Sequence, residues 1–210
     1  GCHASLSGLD QATIEAMAQR DMQVRSIPPT EGFAWELRRF ERAVEMANDA
    51  DVDFVVMGGD MVHDPADEDQ YAAVRRVAAG LDVPMHWVPG NHDVGEDTNV
   101  PTDASMAAYR ARYGPDHYVF VHKGATVVVV DTTVWTATDA LPGEWEAQLA
   151  ALADALAAGR GRGGPILVCG HHPLFVEEPD EPDTFWNVPG ERRAVVLDLL
   201  AAHEVDIWLC

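Results

Sequence analysis

Pro84-Met85-His86-Trp87-Val88-Pro89-Gly90-Asn91-His92-Asp93 is the stretch that decides how this 210-residue chain is read. Pro84 and Pro89 bracket its first half, and Trp87 and Val88 favour extended backbone, which predicts a short strand over 84–88. The strand runs straight into Gly90 and then into an amide, an imidazole and a carboxylate. Two other stretches repeat the arrangement. A predicted strand over 53–57 runs into Gly58-Gly59-Asp60, and one over 165–169 runs into Gly170-His171-His172-Pro173. In α/β sheets ligands bind outside the carboxyl ends of the strands. Asp60, Asn91, His92 and His171 are therefore expected to converge on one sheet edge, although they lie far apart in sequence.

The segments between these strands read as helices. Phe33, Leu37, Phe40, Val44 and Ala47 recur at three- and four-residue steps, with charged residues between them, and predict an amphipathic helix over 33–50. Helices are also expected over 67–80, closed by Gly80, over 102–113, over 142–158 from Pro142, and over 189–203. Strands over 118–121 and 126–130 flank Lys123-Gly124, a hairpin signal. Residues 160–165, Arg-Gly-Arg-Gly-Gly-Pro, read as a flexible connector, and 177–183 as an acidic loop. A last strand is expected over 206–210. No repeat or strong linker intervenes, so the fold class is α/β, a single domain over 1–210 with a largely buried sheet.

Composition narrows the function. Hydrophobic residues make up 47% of the chain and charged residues 23%, which suits a globular domain and excludes a disordered tail or a collagen-like repeat. No run approaches the ~18 apolar residues of a membrane span, so no membrane is expected as a partner. The net charge is -21, from 35 acids against 14 bases, and Lys123 is the only lysine. So acidic a chain repels phosphate backbones, and no nucleic acid is expected as a partner. Cys2, Cys169 and Cys210 show neither a disulfide framework nor zinc-knuckle spacing. Cys169 reads as a small buried hydrophobe.

The chain begins at Gly1, with no visible signal peptide, and stops within the apolar run 207–210. We expect a fragment of a longer protein, cut at both ends. The compartment stays open, with the cytoplasm expected, and oligomeric state is not legible.

Asp, Asn and His together offer oxygen and imidazole nitrogen donors, a mixture suited to Mn, Fe, Zn or Ni. Gly-Asp alone is commonly just a turn. Gly-Asn-His-Asp behind a strand is far more specific, and all three motifs in this order more so. On these motifs the sequence resembles the calcineurin-like metallophosphoesterases. Their pattern is Asp-x-His or Asp-x-Gln, Gly-Asp, Gly-Asn-His-Asp/Glu, a lone His and Gly-His-x-His. The middle three are present, and the resemblance runs from Phe33 onward. Gly59-Asp60-Met61-Val62-His63, Gly90-Asn91-His92-Asp93-Val94-Gly95, His171-His172-Pro173-Leu174-Phe175 and Trp186-Asn187 are similar to the subgroup that includes a protein serine/threonine phosphatase.

The resemblance implies a four-layer α/β/β/α sandwich, here incomplete, lacking the first strand and the C-terminal strands. It also implies two divalent or trivalent transition-metal ions (Mn, Fe, Zn or Ni) and a metal-dependent phosphoric-ester hydrolase working through a metal-activated hydroxide. By the same resemblance Asp60 would bridge the metals, while Asn91 and His171 would hold the second. His92 would contact phosphate and protonate the leaving group, and Asp93 would orient it. The substrate would be a phosphorylated small molecule or phosphoprotein, monoester or diester. The first and last motifs are absent. Gly1 would follow the subgroup's Asp-x-Gln, or His3 would be the His of Asp-x-His. The fragment itself is therefore expected to be nearly inactive.

Plainer readings stand beside these. Asp60 could cap a turn, 91–93 could be a polar turn, and His172 rather than His171 could be the ligand. His63 reads as a surface turn, His86 as a hydrogen-bonded core histidine, and His117, His122 and His203 as surface residues. Arg192 and Arg193 read as helix surface and 177–183 as a solvated loop. Trp186 is the one tryptophan with a case for lining the site. The competing function is a catalytically dead scaffold of the same fold. A nucleotide-binding domain is disfavoured because no Gly-x-Gly-x-x-Gly or P-loop follows a predicted strand.

Overall fold

The computed structural model describes Glu15 and residues 33–95, 100–137 and 140–210. The expectations for Gly1, Cys2 and His3 lie outside the described residues. The chain divides into two compact units, Gly1–Val55 with Met61–Met85, and Val56–Asp60 with His86–Cys210.

In the first unit, α1 (Ala34–Asp49) packs against α2 (Glu68–Ala78). The sequence period explains the contact faces. Glu36, Phe40 and Val44 are buried on α1, and Gln70, Ala73, Val74 and Val77 on α2. Asp67 starts α2 by accepting the Asp69 and Gln70 amides, as an N-cap aspartate does. The helix ends at Ala78, two residues short of Gly80. Asn48 closes this end of the unit, donating to the Gly80 carbonyl at 2.9 Å and accepting the Asp82 amide at 3.0 Å.

Strands β1 (Val55–Met57) and β2 (Met85–Trp87) pair with each other. Val55 N–H donates to the Pro84 carbonyl and Val88 N–H to the Met57 carbonyl, both at 3.0 Å, so the bonds climb the two strands together. Each strand is shorter than its sequence signal. All of β1 is half-buried rather than covered on both faces.

The second unit carries a four-stranded sheet in the order β3 (Tyr118–His122), β4 (Ala125–Val129), β5 (Ile166–Cys169), β6 (Ile207–Leu209). The first pair is antiparallel and the other two are parallel. The hairpin falls where expected, with Lys123 (φ 47°) and Gly124 (φ 88°) in the left-handed region that two-residue hairpin turns require. Two short helices, α3 (Asn91–Val94) and α5 (Thr132–Thr136), and the longer α4 (Asp103–Tyr113) accompany the sheet. α6 (Glu144–Arg162) connects β4 to β5 and packs on both strands, and α7 (Gly190–Ala202) connects β5 to β6. Val128, Ile166, Val168, Leu152 and Leu156 are buried between sheet and helix, and Val127 and Val129 are buried on the other face of β4. β3 and β6 are partly exposed, so burial is continuous only in the middle of the sheet.

Two segments differ from the sequence reading. The expected connector 160–165 is largely helix: α6 runs through Arg160, Gly161 and Arg162 and stops at Gly163, whose φ of 75° makes a left-handed cap. Arg160 pairs with Glu204, which ties this last turn down. The acidic loop is a built turn. The Glu181 carboxylate accepts the amides of Val176, Glu177 and Glu178 and the Asn187 side chain. The Asn187 hydrogen bond comes first among the causes that hold Glu181 down at about 2. Arg193 is buried, not surface, and donates to the carbonyls of Leu174, Val188 and Glu181. Arg192 donates to the Val134 and Trp135 carbonyls and lies over the Trp145 ring.

The other single residues divide. Cys169 is a buried free thiol, as expected. His86 is half-buried and stacks on Phe120 at 3.7 Å, with the Tyr118 hydroxyl 3.4 Å away. His117 is not a simple surface residue, since its Nδ1 lies 3.3 Å from buried Asp116. His122 and His203 are half-buried, whereas His63 is exposed. Trp186 is exposed beside Phe185. Among the described residues, no helix is long and apolar enough to cross a membrane.

Candidate metal centre

Within the second unit, the three strand-end turns meet. Gly59 has φ 91° and Asp60 φ 56°, so the chain turns sharply behind β1 through two left-handed residues. Glycine takes this conformation freely, and aspartate is among the few other residues found there. The turn is also crowded. A Cβ on Gly59 would come within 2.5 Å of His171 Nδ1 and 2.9 Å of the Gly90 backbone, and one on Gly90 would overlap the backbone and Oδ1 of Asp60. Both positions need glycine because the turns pass through each other's side-chain space.

Two carboxylates latch the turns together. Asp93 Oδ2 accepts the Asp60 amide at 2.6 Å and the Gly90 amide at 2.9 Å. Asp60 Oδ1 accepts the His92 amide at 3.1 Å. Asp60 Oδ2 faces the imidazole of His171, 3.4 Å from its Nε2. Asn91 Oδ1 stands 3.1 Å from the same nitrogen. Asp60 and Asp93 are buried and Asn91, His92 and His171 half-buried.

The hydrogen bonds fix which atoms carry lone pairs. His171 Nδ1 lies 2.8 Å from the Gly58 carbonyl, which can only accept, so Nδ1 carries the proton. Nε2 then turns its lone pair toward two more acceptors, Asn91 Oδ1 and Asp60 Oδ2. Three lone-pair atoms pointed at one spot repel unless a proton or a cation lies between them. Ligands at ~2.0–2.2 Å from a common ion stand ~3 Å from one another, and Nε2 stands 3.1 Å and 3.4 Å from the two oxygens. The residues present therefore fit a cation. A second proton on His171 can meet the same need. Burial pulls its pKa down, but the hydrogen bond and charge of Asp60 outweigh that and raise it. Neighbouring His172 goes the other way, pushed down to about 4 by burial and by the charge of His171. Among the described residues, no group of three or more His, Cys, Asp and Glu side chains is placed to hold a metal by itself. The third donor here is an amide.

The structure thus brings Asp60, Asn91 and His171 together and sets His92 and Asp93 on the turn between them. His172 Nδ1 instead faces the Thr132 hydroxyl at 3.1 Å. Two contributors are not singled out in the sequence, the Gly58 carbonyl and Thr132. Thr132 had a signal: Asp131-Thr132-Thr133 is a fourth polar stretch behind a strand, without the glycine that marks the other three.

The solved structures include a dimetal phosphatase from Danio rerio, to which the fold is similar with a TM-score of 0.63 at 14% identity, covering 84% of this chain and 70% of that one. In sequence, the chain is 29% identical over 179 residues to the human serine/threonine-protein phosphatase CPPED1, covering 80% of this chain and 56% of that protein. It is 32% identical over 187 residues to a probable cyclic nucleotide phosphodiesterase of Rhodopseudomonas palustris, covering 83% and 63%. The chain spans about half the length of the curated relatives it matches. The family model described as calcineurin-like phosphoesterase matches residues 32–210, which include Asp60, Asn91, His92, Asp93 and His171. The chain belongs to the calcineurin-like phosphoesterase family.

Proposed function

We propose that this chain is part of a single metallophosphoesterase domain, a metal-dependent phosphoric-ester hydrolase acting on a phosphorylated small molecule or phosphoprotein. The observation that carries the reading is His171 Nε2 standing 3.1 Å from Asn91 Oδ1 and 3.4 Å from Asp60 Oδ2. Asp60, Asn91 and His171 would hold one ion, and Asp60 would also reach a second. Bound ions of this kind supply a water acidic enough to attack at neutral pH and positive charge over the phosphoryl oxygens. His92 serves as the acid that hands a proton to the leaving oxygen. Asp93 is a positioning residue, because its carboxylate anchors the amides on either side of that histidine's turn. Names among the relatives include both a protein phosphatase and a phosphodiesterase, so monoester and diester chemistry both belong to the proposal.

Within the family match over 32–210 there is neither Asp-x-His nor Asp-x-Gln (Asp21-Met22-Gln23 precedes it), and Gly170-His171-His172-Pro173 is not Gly-His-x-His. On the family resemblance those motifs carry most ligands of the first ion. We infer that this chain binds one ion and hydrolyses esters poorly alone. Mn2+ titration followed by electron paramagnetic resonance tests the first half. Asp60→Asn and His171→Ala should each weaken binding at least tenfold. A chain that binds no Mn2+, or variants that bind like wild type, would remove the proposal. The role of His92 is read in a longer chain carrying both missing motifs. His92→Asn should slow phenyl phosphate hydrolysis about 10²–10⁴-fold and p-nitrophenyl phosphate less, since p-nitrophenolate is stable enough to leave without a proton. Equal losses on the two esters would exclude the acid role.

A further inference from the structure

The corner that presents His171 is held from behind by a side chain outside the three motifs. Thr132 opens α5 immediately after the β4 strand and is fully buried. Its Oγ1 accepts the backbone amide of His171 at 3.2 Å and that of His172 at 2.9 Å. A hydroxyl oxygen has two lone pairs and one proton. Both lone pairs are occupied, so the proton is left for the third neighbour, His172 Nδ1, 3.1 Å away. Nδ1 of His172 is then an acceptor, and its ring hydrogen sits on Nε2. The methyl end of the same side chain closes the corner sterically. A Cβ on Gly170 would lie 2.8 Å from Thr132 Cγ2 and 3.0 Å from the Trp208 ring, so Gly170 lets the strand end pass against both.

We propose that Thr132 is a positioning residue of the metal centre, its hydroxyl fixing the His171-His172 corner and holding His172 as the Nε2–H tautomer. The proposal rests on the reading of His171 as a metal ligand. It extends that reading to a residue that touches neither the ion nor the substrate. A valine at 132 keeps the shape and removes both acceptor and donor, and a serine keeps the hydroxyl without the methyl.

The test compares the ¹⁵N-labelled wild-type chain with Thr132→Val and Thr132→Ser. In wild type and Thr132→Ser, ring nitrogen shifts without metal should show His172 protonated on Nε2, and Mn2+ affinity should agree within about threefold. Thr132→Val should give mixed tautomers and bind Mn2+ about 10–100-fold more weakly, the range for lost outer-shell partners of metal ligands. Val196→Ala in α7 is the control for plain destabilisation, since Val196 is a fully buried core residue. It should lower Tm and leave Mn2+ affinity alone. A Thr132→Val chain with the wild-type tautomer, or one with lower Tm and unchanged Mn2+ affinity, overturns the proposal. If wild type itself binds no Mn2+, the ligand reading of His171 falls, and the metal-free tautomer still decides whether Thr132 sets the corner.

Discussion

Asp131 is a carboxyl group sealed inside the protein. Its Oδ1 accepts the Thr133 amide at 2.9 Å and the Thr133 hydroxyl at 2.5 Å, which starts α5. Its Oδ2 is buried with no hydrogen-bond partner among the described residues. Burial, only partly offset by the Thr133 bonds, pushes its pKa up to about 7. The folded chain therefore keeps this proton to about pH 7, whereas an unfolded aspartate loses it near 3.8. Between those values the folded state binds more protons, so stability falls as pH rises. The penalty is absent below about 3.8 and complete above about 7, and its size is on the order of a few kcal/mol. Asp131→Asn keeps an acceptor for Thr133 and removes the charge. The Tm of Asp131→Asn minus that of wild type should grow from pH 5 to pH 8, and a constant difference would show that Asp131 is not protonated in the fold. The sequence shows that this aspartate follows a strand but not that it is sealed from water, because burial comes from the packing of distant segments. Asp60, Asn91 and His171 were legible for the opposite reason. Each follows a strand and a glycine, and a strand end is a local feature whose meaning does not need the rest of the fold.

At the scale of elements, α6 carries two glycines whose surroundings differ. A Cβ on Gly159 would meet Ile166 Cδ1 at 3.0 Å, Ile166 Cγ1 at 3.1 Å and Thr126 Cβ at 3.3 Å, so the helix lies close enough to the sheet that a side chain here would be crowded. Around Gly161 nothing lies within 4 Å. Gly159→Val should overpack the layer and lower stability by about 1–3 kcal/mol. Gly161→Ala adds helix propensity without a clash and should raise stability by up to ~1 kcal/mol. Urea midpoints at unchanged m-values measure both, and shifts of the same sign would contradict the packing described. These glycines also mark where sequence reading stopped. Arg160-Gly161-Arg162-Gly163-Gly164-Pro165 resembles a linker by composition, yet helix continues to Arg162, held by packing on β4 and β5 and by Arg160 with Glu204. Only Gly163 ends it. β4 and β5 were readable to within a residue because an unbroken apolar run has one stable place, a covered strand. The short α5 was missed: five residues are too few to show a period, and Asp131 as its cap is seen only once the strand before it is placed.

At the scale of the whole molecule, charge dominates. With 35 acidic residues against 14 basic ones, the net charge of -21 makes self-repulsion a standing cost of compactness. Few cations are placed to relieve it. Arg110 is committed to buried Asp116 at 2.7 Å, Arg193 to backbone carbonyls, and Arg192 to the end of α5. Salt should therefore stabilise this protein. The screening length shrinks from ~30 Å at 0.01 M to ~10 Å at 0.1 M, so most of the gain should come in that first decade. Tm should climb steeply from 10 to 100 mM NaCl and then flatten, and KCl should trace the same curve, because screening depends on ionic strength and not on which monovalent cation provides it. The Arg110–Asp116 pair would oppose the trend weakly, since its carboxylate is buried although its arginine is exposed, and partly buried pairs are screened less than exposed ones. A Tm that is flat or falls over that decade would mean that exposed repulsion is not what limits the fold. A rise with NaCl but not KCl would point instead to a bound sodium ion.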